Sequence, residues 1–189
     1  MDNISLERIN TLHPKLRDKA KKDYLDANNL LGKNVRLRIS YAKRSFAEQA
    51  ALYAQGRETL GEINRLRHIA KMQPIGFSES RNKVTNAKAG ESYHNYALAF
   101  DIVLLYDKNS DGIFEEASWD LKRDGDRDGI ADWIEVTKLF TERGWVNGFW
   151  TNGKHWDKPH FQYTFGLTIK QLQAKYNHAD FISNDYVKI

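Results

Sequence analysis

Ser92-Tyr-His-Asn-Tyr-Ala-Leu-Ala-Phe-Asp101-Ile-Val-Leu-Leu-Tyr106 is the stretch that decides the fold. From Ala97 to Tyr106 nearly every residue is apolar or aromatic, which predicts a strand covered on both faces. One charge interrupts it. Asp101 is either a buried structural carboxylate bonded to backbone amides or a metal ligand, because an ionised group in an apolar strand needs a compensating partner.

Upstream, Leu6, Ile9, Leu12, Leu16, Ala20 and Tyr24 recur at helical spacing, so a helix is expected over roughly His13 to Leu31, stopped by Gly32. Val35, Leu37 and Ile39 alternate with Arg36, Arg38 and Ser40, the pattern of a half-buried strand. Ser45 suits the N-cap of a helix that carries Phe46, Ala50, Leu52 and Tyr53 and ends at Gly56. Gln73 to Tyr93 has no lasting period and reads as a long surface loop. Downstream, Trp133, Val136, Thr137 and Phe140 suit a short helix closed by Gly144, and an aromatic loop runs from Trp145 to Trp156. A last strand follows Pro159, where Phe161, Tyr163 and Phe165 alternate with His160, Gln162 and Thr164. Gly166 to Tyr176 forms a closing helix with Thr168 as a cap.

These elements predict an α+β fold, a small antiparallel sheet flanked by helices. With 189 residues, 41% of them hydrophobic, and no visible linker, the chain reads as a single domain over 1–189. No apolar run approaches the length of a membrane-spanning helix, so no membrane insertion is expected. The first residues show no signal peptide, which implies synthesis in the cytoplasm. The absence of cysteine excludes disulfides, thiol catalysis and cysteine-based zinc sites.

The net charge of +4 conceals an acidic insertion at about 107–135, which holds ten acidic and four basic residues. The remainder, near +10, favours an anionic partner: nucleic acid, a membrane surface or a wall polymer. Within the insertion, Asp124-Gly-Asp126-Arg-Asp128-Gly129-Ile130-Ala-Asp132-Trp-Ile-Glu135 fits a calcium loop. Asp124, Asp126, Asp128, the Ile130 carbonyl, Asp132 and a bidentate Glu135 supply the oxygens such an ion requires. Asp107-Lys-Asn109-Ser-Asp111-Gly112 is a half-match with Ser118 in place of the closing glutamate. It is a degenerate site, a contributor to the same cluster, or a turn.

Two imidazoles and a carboxylate can hold zinc and leave a fourth position for water. His94, Asp101 and His160 are the expected ligands. Asp157, separated from His160 by Pro159, is placed to act as general base, and Arg44, at the exit of a strand, to bind the substrate carbonyl and its developing oxyanion. His155 is either a surface residue or a cleft residue touching substrate. His13, His68 and His178 read as ordinary packed or solvated histidines.

Ser92-x-His94-x-x-Ala97-x-Ala99-x-Asp101, with Asp157-x-Pro159-His160-Phe161, resembles the zinc peptidases that include D-alanyl-D-alanine carboxypeptidases, vancomycin-resistance dipeptidases and L-alanyl-D-glutamate endopeptidases. The likeness continues in Leu12-His13-Pro14, in Arg44-Ser45-Phe46-x-Glu48-Gln49-x-x-Leu52-Tyr53-x-Gln55-Gly56-Arg57 and in Val84-Thr85-Asn86-Ala87, which resemble the endopeptidase branch typical of phage endolysins. Ala97 stands where that family usually has glycine, and Ala42-Lys43 replaces the usual Gly-Tyr before the arginine.

The resemblance implies a scaffold shared with Hedgehog domains. It implies zinc on His94, Asp101 and His160, Asp157 as general base, Arg44 and Ser92 as substrate contacts, and cleavage between L-Ala and D-Glu of bacterial peptidoglycan. The partner expected is therefore the cell wall rather than nucleic acid, for a monomer that acts there after release from the cytoplasm. The rivals are a D,D- or L,D-carboxypeptidase and a non-catalytic, metal-stabilised wall-binding module.

Overall fold

A computed structural model describes residues 2–148, 157–183 and 186–189. The chain falls into two compact units: Met1–Ala42 with Leu98–Tyr163, and Lys43–Ala97 with Thr164–Ile189.

The first unit is built on an antiparallel sheet. Strand β1 (Val35–Tyr41) pairs along its length with β2 (Ala99–Tyr106). The other edge of β2 is shared by β3 (Glu116–Ser118) near Tyr106 and β5 (His160–Gln162) near Asp101, and β5 in turn pairs with β4 (Val146–Asn147). Strand β2 is therefore central, which explains its apolar character on both sides of Asp101. Helices α1 (Asn3–Asn10) and α2 (Pro14–Leu30) contact β1, and α6 (Asp132–Glu142) packs against α2. Phe100 of β2, Phe161 of β5, Phe140 of α6 and Trp145 form one aromatic cluster with ring centroids 4.6–6.0 Å apart.

The second unit holds α3 (Phe46–Ala54), α4 (Leu60–Ile69), α5 (Phe77–Ser80), a 3₁₀ turn (Tyr93–Tyr96), α7 (Ile169–Asn177) and a hairpin of β6 (Phe181–Ser183) and β7 (Tyr186–Val187). Ser45 and Glu48 form a reciprocal capping box on α3, and Thr168 and Gln171 do the same on α7. Phe46 stacks on Tyr176 at 4.4 Å, tying α3 to α7.

The mixed α+β class and the small antiparallel sheet agree with the sequence, and several boundaries differ. The helix expected over His13 to Leu31 is α2, with His13 as its cap; the apolar spacing before it belongs to a separate helix, α1, because Pro14 can start a helix but not continue one. Strand β2 begins at Ala99, since Ala97 sits in left-handed backbone at φ +59°, a conformation glycine adopts at less cost. The last strand ends at Gln162, and Phe165 turns at φ +49°. The expected loop over 73–93 contains α5. Helix α4 and the terminal hairpin have weak sequence periodicity and were not anticipated.

Asp23 of α2 sits at the junction of α2, α6 and Trp145. It accepts hydrogen bonds from Lys19 (2.9 Å), Trp145 Nε1 (2.8 Å) and Arg143 (2.9 Å). Burial alone would raise its carboxyl, but these donors outweigh it and hold the group below its ordinary value near 3.8. A depressed folded-state value means stabilisation that is complete above the unfolded value and lost as pH falls through the folded one. Asp23→Asn is expected to cost about 2 kcal/mol at pH 7, less than for a fully enclosed pair because Lys19 and Arg143 are partly exposed. Denaturant titrations should show the gap between variant and parent closing below about pH 4.

Candidate metal centres and active site

Strand pairing places Asp101 opposite His160, so the two side chains leave the sheet on the same face. His160 Nδ1 lies 3.2 Å from Asp101 Oδ1, and Nε2 lies 3.0 Å from Gln162 Oε1. Two ligand atoms on one tetrahedral zinc at about 2.0–2.1 Å stand about 3.3 Å apart, which matches the first separation. The second supplies the outer hydrogen bond that fixes a metal-binding imidazole. Gln162 was not singled out from the sequence; its place two residues after His160 on one strand was the available signal. The backbone carbonyl of Asp101 accepts from Ser40 Oγ at 3.2 Å, beside an irregularity in β1 between Ile39 and Tyr41.

His94 lies in the 3₁₀ turn and is buried. Ser92 Oγ caps that turn by accepting from the His94 N–H at 3.3 Å, and the His94 carbonyl accepts from the Arg44 and Ala97 N–H groups. Arg44 is oriented in turn: its Nη1 donates to Gln49 Oε1 at 3.0 Å, and Gln49 Nε2 is anchored on the Ala87 carbonyl at 2.7 Å and on Thr85 Oγ1. Asn95 closes this network by donating to the Arg44 carbonyl and accepting from the Gly90 N–H. Gln49, Thr85 and Ala87 thus hold the arginine side chain in place.

Asp101 and His160 of the first unit form a facing pair that could hold a metal ion, and His94, the third expected ligand, lies in the second unit. Asp157 is half-buried three residues before His160. His155 lies outside the described residues.

The acidic segment folds as a tight loop. Asp124 accepts from the N–H groups of Arg127, Asp128 and Gly129, and Asp128 accepts from Ile130, which is exposed. Gly129 makes the sharp turn at φ +94°. Asp124, Asp126 and Asp132 form one group of candidate ligands, and Asp126, Asp128 and Glu135 a second. Asp132 and Glu135 occupy the first turn of α6 and are buried, at 0% and 7% exposure. Asp132 Oδ2 accepts from Tyr106 O–H (2.8 Å) and Gly125 N–H (2.9 Å). Among the described residues, Asp132 Oδ1 and Glu135 Oε2 are buried with no hydrogen-bond partner. Burial, then the carboxylates of Asp128, Asp126, Asp132 and Asp124, push the Glu135 carboxyl up to about 7. Gly32 N–H donates to Asp126 Oδ2 at 2.7 Å, and a Cβ there would meet the Asp126 Cβ at 2.3 Å. The Asp107 half-loop is hydrogen-bonded as a turn, with Asp107 accepting from Asp111 and Gly112. It joins no candidate metal group among the described residues.

Known proteins carry the same sequence pattern. A family described as D-alanyl-D-alanine carboxypeptidase matches residues 85–163, which span the turn of His94 and the strands of Asp101 and His160. The peptidoglycan L-alanyl-D-glutamate endopeptidase CwlK of Bacillus subtilis (strain 168) is 35% identical over 152 residues, covering 80% of this chain and 72% of that one. The chain belongs to this family of peptidases.

Proposed function

We propose that the chain is a zinc-dependent peptidase that hydrolyses the L-Ala-D-Glu bond of peptidoglycan stem peptides. The observation that carries this reading is the facing pair Asp101 and His160, with His94 as the third expected ligand, in a relative of an L-alanyl-D-glutamate endopeptidase. Zinc held by these three side chains would polarise the scissile carbonyl and acidify a water molecule.

The protein's own groups then divide the work. Asp157 takes a proton from the attacking water and delivers it to the departing D-Glu amine, so that the peptide bond breaks as a new L-Ala carboxylate forms. Arg44, pre-set by Gln49, donates to the carbonyl oxygen as negative charge develops there. Ser92 and His155 are assigned to substrate contact, and the scaffold to the type shared with Hedgehog domains. No described helix is long and apolar enough to cross a membrane, and the site of action assigned is the wall.

The acidic loop is assigned a calcium ion held by Asp124, Asp126, Asp128, the Ile130 carbonyl, Asp132 and Glu135. Two buried carboxylate oxygens without partners support this, since each costs about 1–3 kcal/mol unless an ion or donor meets it.

Digestion of purified muropeptides followed by mass spectrometry tests the function. Peptides with D-Glu at the new amino terminus are the expected product. Release of free D-Ala would instead identify a carboxypeptidase, and no released fragment a binding module.

A further inference from the structure

Helix α6 touches two places that matter. Its first turn supplies Asp132 and Glu135 to the acidic loop, and at that end Asp132 also receives the O–H of Tyr106, the last residue of β2. Two turns later Phe140 packs against Phe100, with ring centroids 5.5 Å apart, and against Phe161 at 4.9 Å. Phe100 precedes Asp101 in β2 and Phe161 follows His160 in β5; the pairs Phe100–Phe161 and Asp101–His160 are adjacent rungs of the same ladder. One rigid helix therefore spans from the acidic loop to the residues that aim two of the proposed zinc ligands.

The end of α6 at the acidic loop is the one with polar groups left unmatched. Ala131 at the N-cap offers no side-chain hydrogen bond, and the buried oxygens Asp132 Oδ1 and Glu135 Oε2 have no partner among the described residues. The loop before it is made of turns and bends, fixed by its own carboxylates. Without a cation, five carboxylates in twelve residues repel one another and favour release of this turn. With one, the turn is clamped. The opposite end of α6 sits in a close-packed aromatic cluster, which transmits a shift rather than absorbing it.

We propose that α6 couples the acidic-loop cation site to the Asp101–His160 pair, so that filling either metal site tightens binding at the other. This rests on the zinc and calcium readings above. Coupling between sites is reciprocal: calcium must raise zinc affinity by the same factor by which zinc raises calcium affinity, about ten-fold for a coupling of ordinary size.

Zinc and calcium titrations of the full chain by calorimetry, each ion alone and with the other saturating, test it. The parent should show the reciprocal ten-fold gain. Glu135→Gln should lose the response of zinc affinity to calcium, because it removes the bidentate carboxylate from the proposed calcium site. Phe140→Leu keeps an apolar side chain but loses the ring contacts, and should bind calcium like the parent while its zinc response falls below about two-fold. Tyr106→Phe, which removes only the O–H to Asp132, should also weaken the response, and stands in should Phe140→Leu fail to fold.

Calcium binding with an unchanged zinc affinity would overturn the coupling and leave the calcium reading standing. Absence of calcium binding at millimolar concentration would overturn that reading and the coupling together, and absence of zinc binding would do the same for the active-site reading. A full zinc response in Phe140→Leu would overturn the route through α6.

Discussion

Asp157→Ala should lower turnover of peptidoglycan stem peptides by about 10²–10⁴-fold, the usual contribution of a positioned general base, and leave bound zinc unchanged. Asp101 and His160 face each other across a strand pair, whereas Asp157 precedes Pro159 outside that ladder and joins no candidate metal group among the described residues. Asp157→Asn keeps the shape and removes the basicity, so it should lose nearly as much. Steady-state rates and zinc content by atomic absorption are the two measurements. A variant that lost its zinc would make Asp157 a ligand, and one that kept full turnover would remove it from the chemistry.

His160→Ala should abolish zinc binding and lower turnover by about 10³-fold or more, because a remaining His and Asp do not complete a three-ligand catalytic site. The imidazole is buried and bridges Asp101 and Gln162, so its loss also leaves both without that partner. A stability cost of about 1–3 kcal/mol is expected with it. Thermal melting of the parent in saturating calcium, with and without added zinc, gives the contribution of that metal, and the variant should melt the same in both. If the variant still melted higher with zinc, another residue would be holding the ion.

The proposed catalytic residues were chosen from residue types that sequence displays. A carboxylate inside an apolar strand demands a partner, and a Pro159-His160 step fixes where a strand begins; both signals survive without coordinates. The calcium-loop reading likewise rests on alternating carboxylates and the turn at Gly129. Element starts marked by caps, at Ser45 and Thr168, were legible for the same reason. What escaped were segments whose local signal is weak: α4, the terminal hairpin, and α1, a separate short helix before Pro14.

By itself, the sequence determined the α+β class and the peptidase family, and it displayed His94, Asp101, His160 and the acidic loop as candidates. Each follows from the periodicity of neighbours or from the chemistry of individual side chains. Only the tertiary structure decided that Asp101 faces His160 with Gln162 behind it, that Gln49 holds Arg44, and that α6 joins the acidic loop to the aromatic pair beside that site. Those relations depend on strand register and helix packing between residues far apart in the chain, and register is set by the burial of whole faces rather than by any local motif.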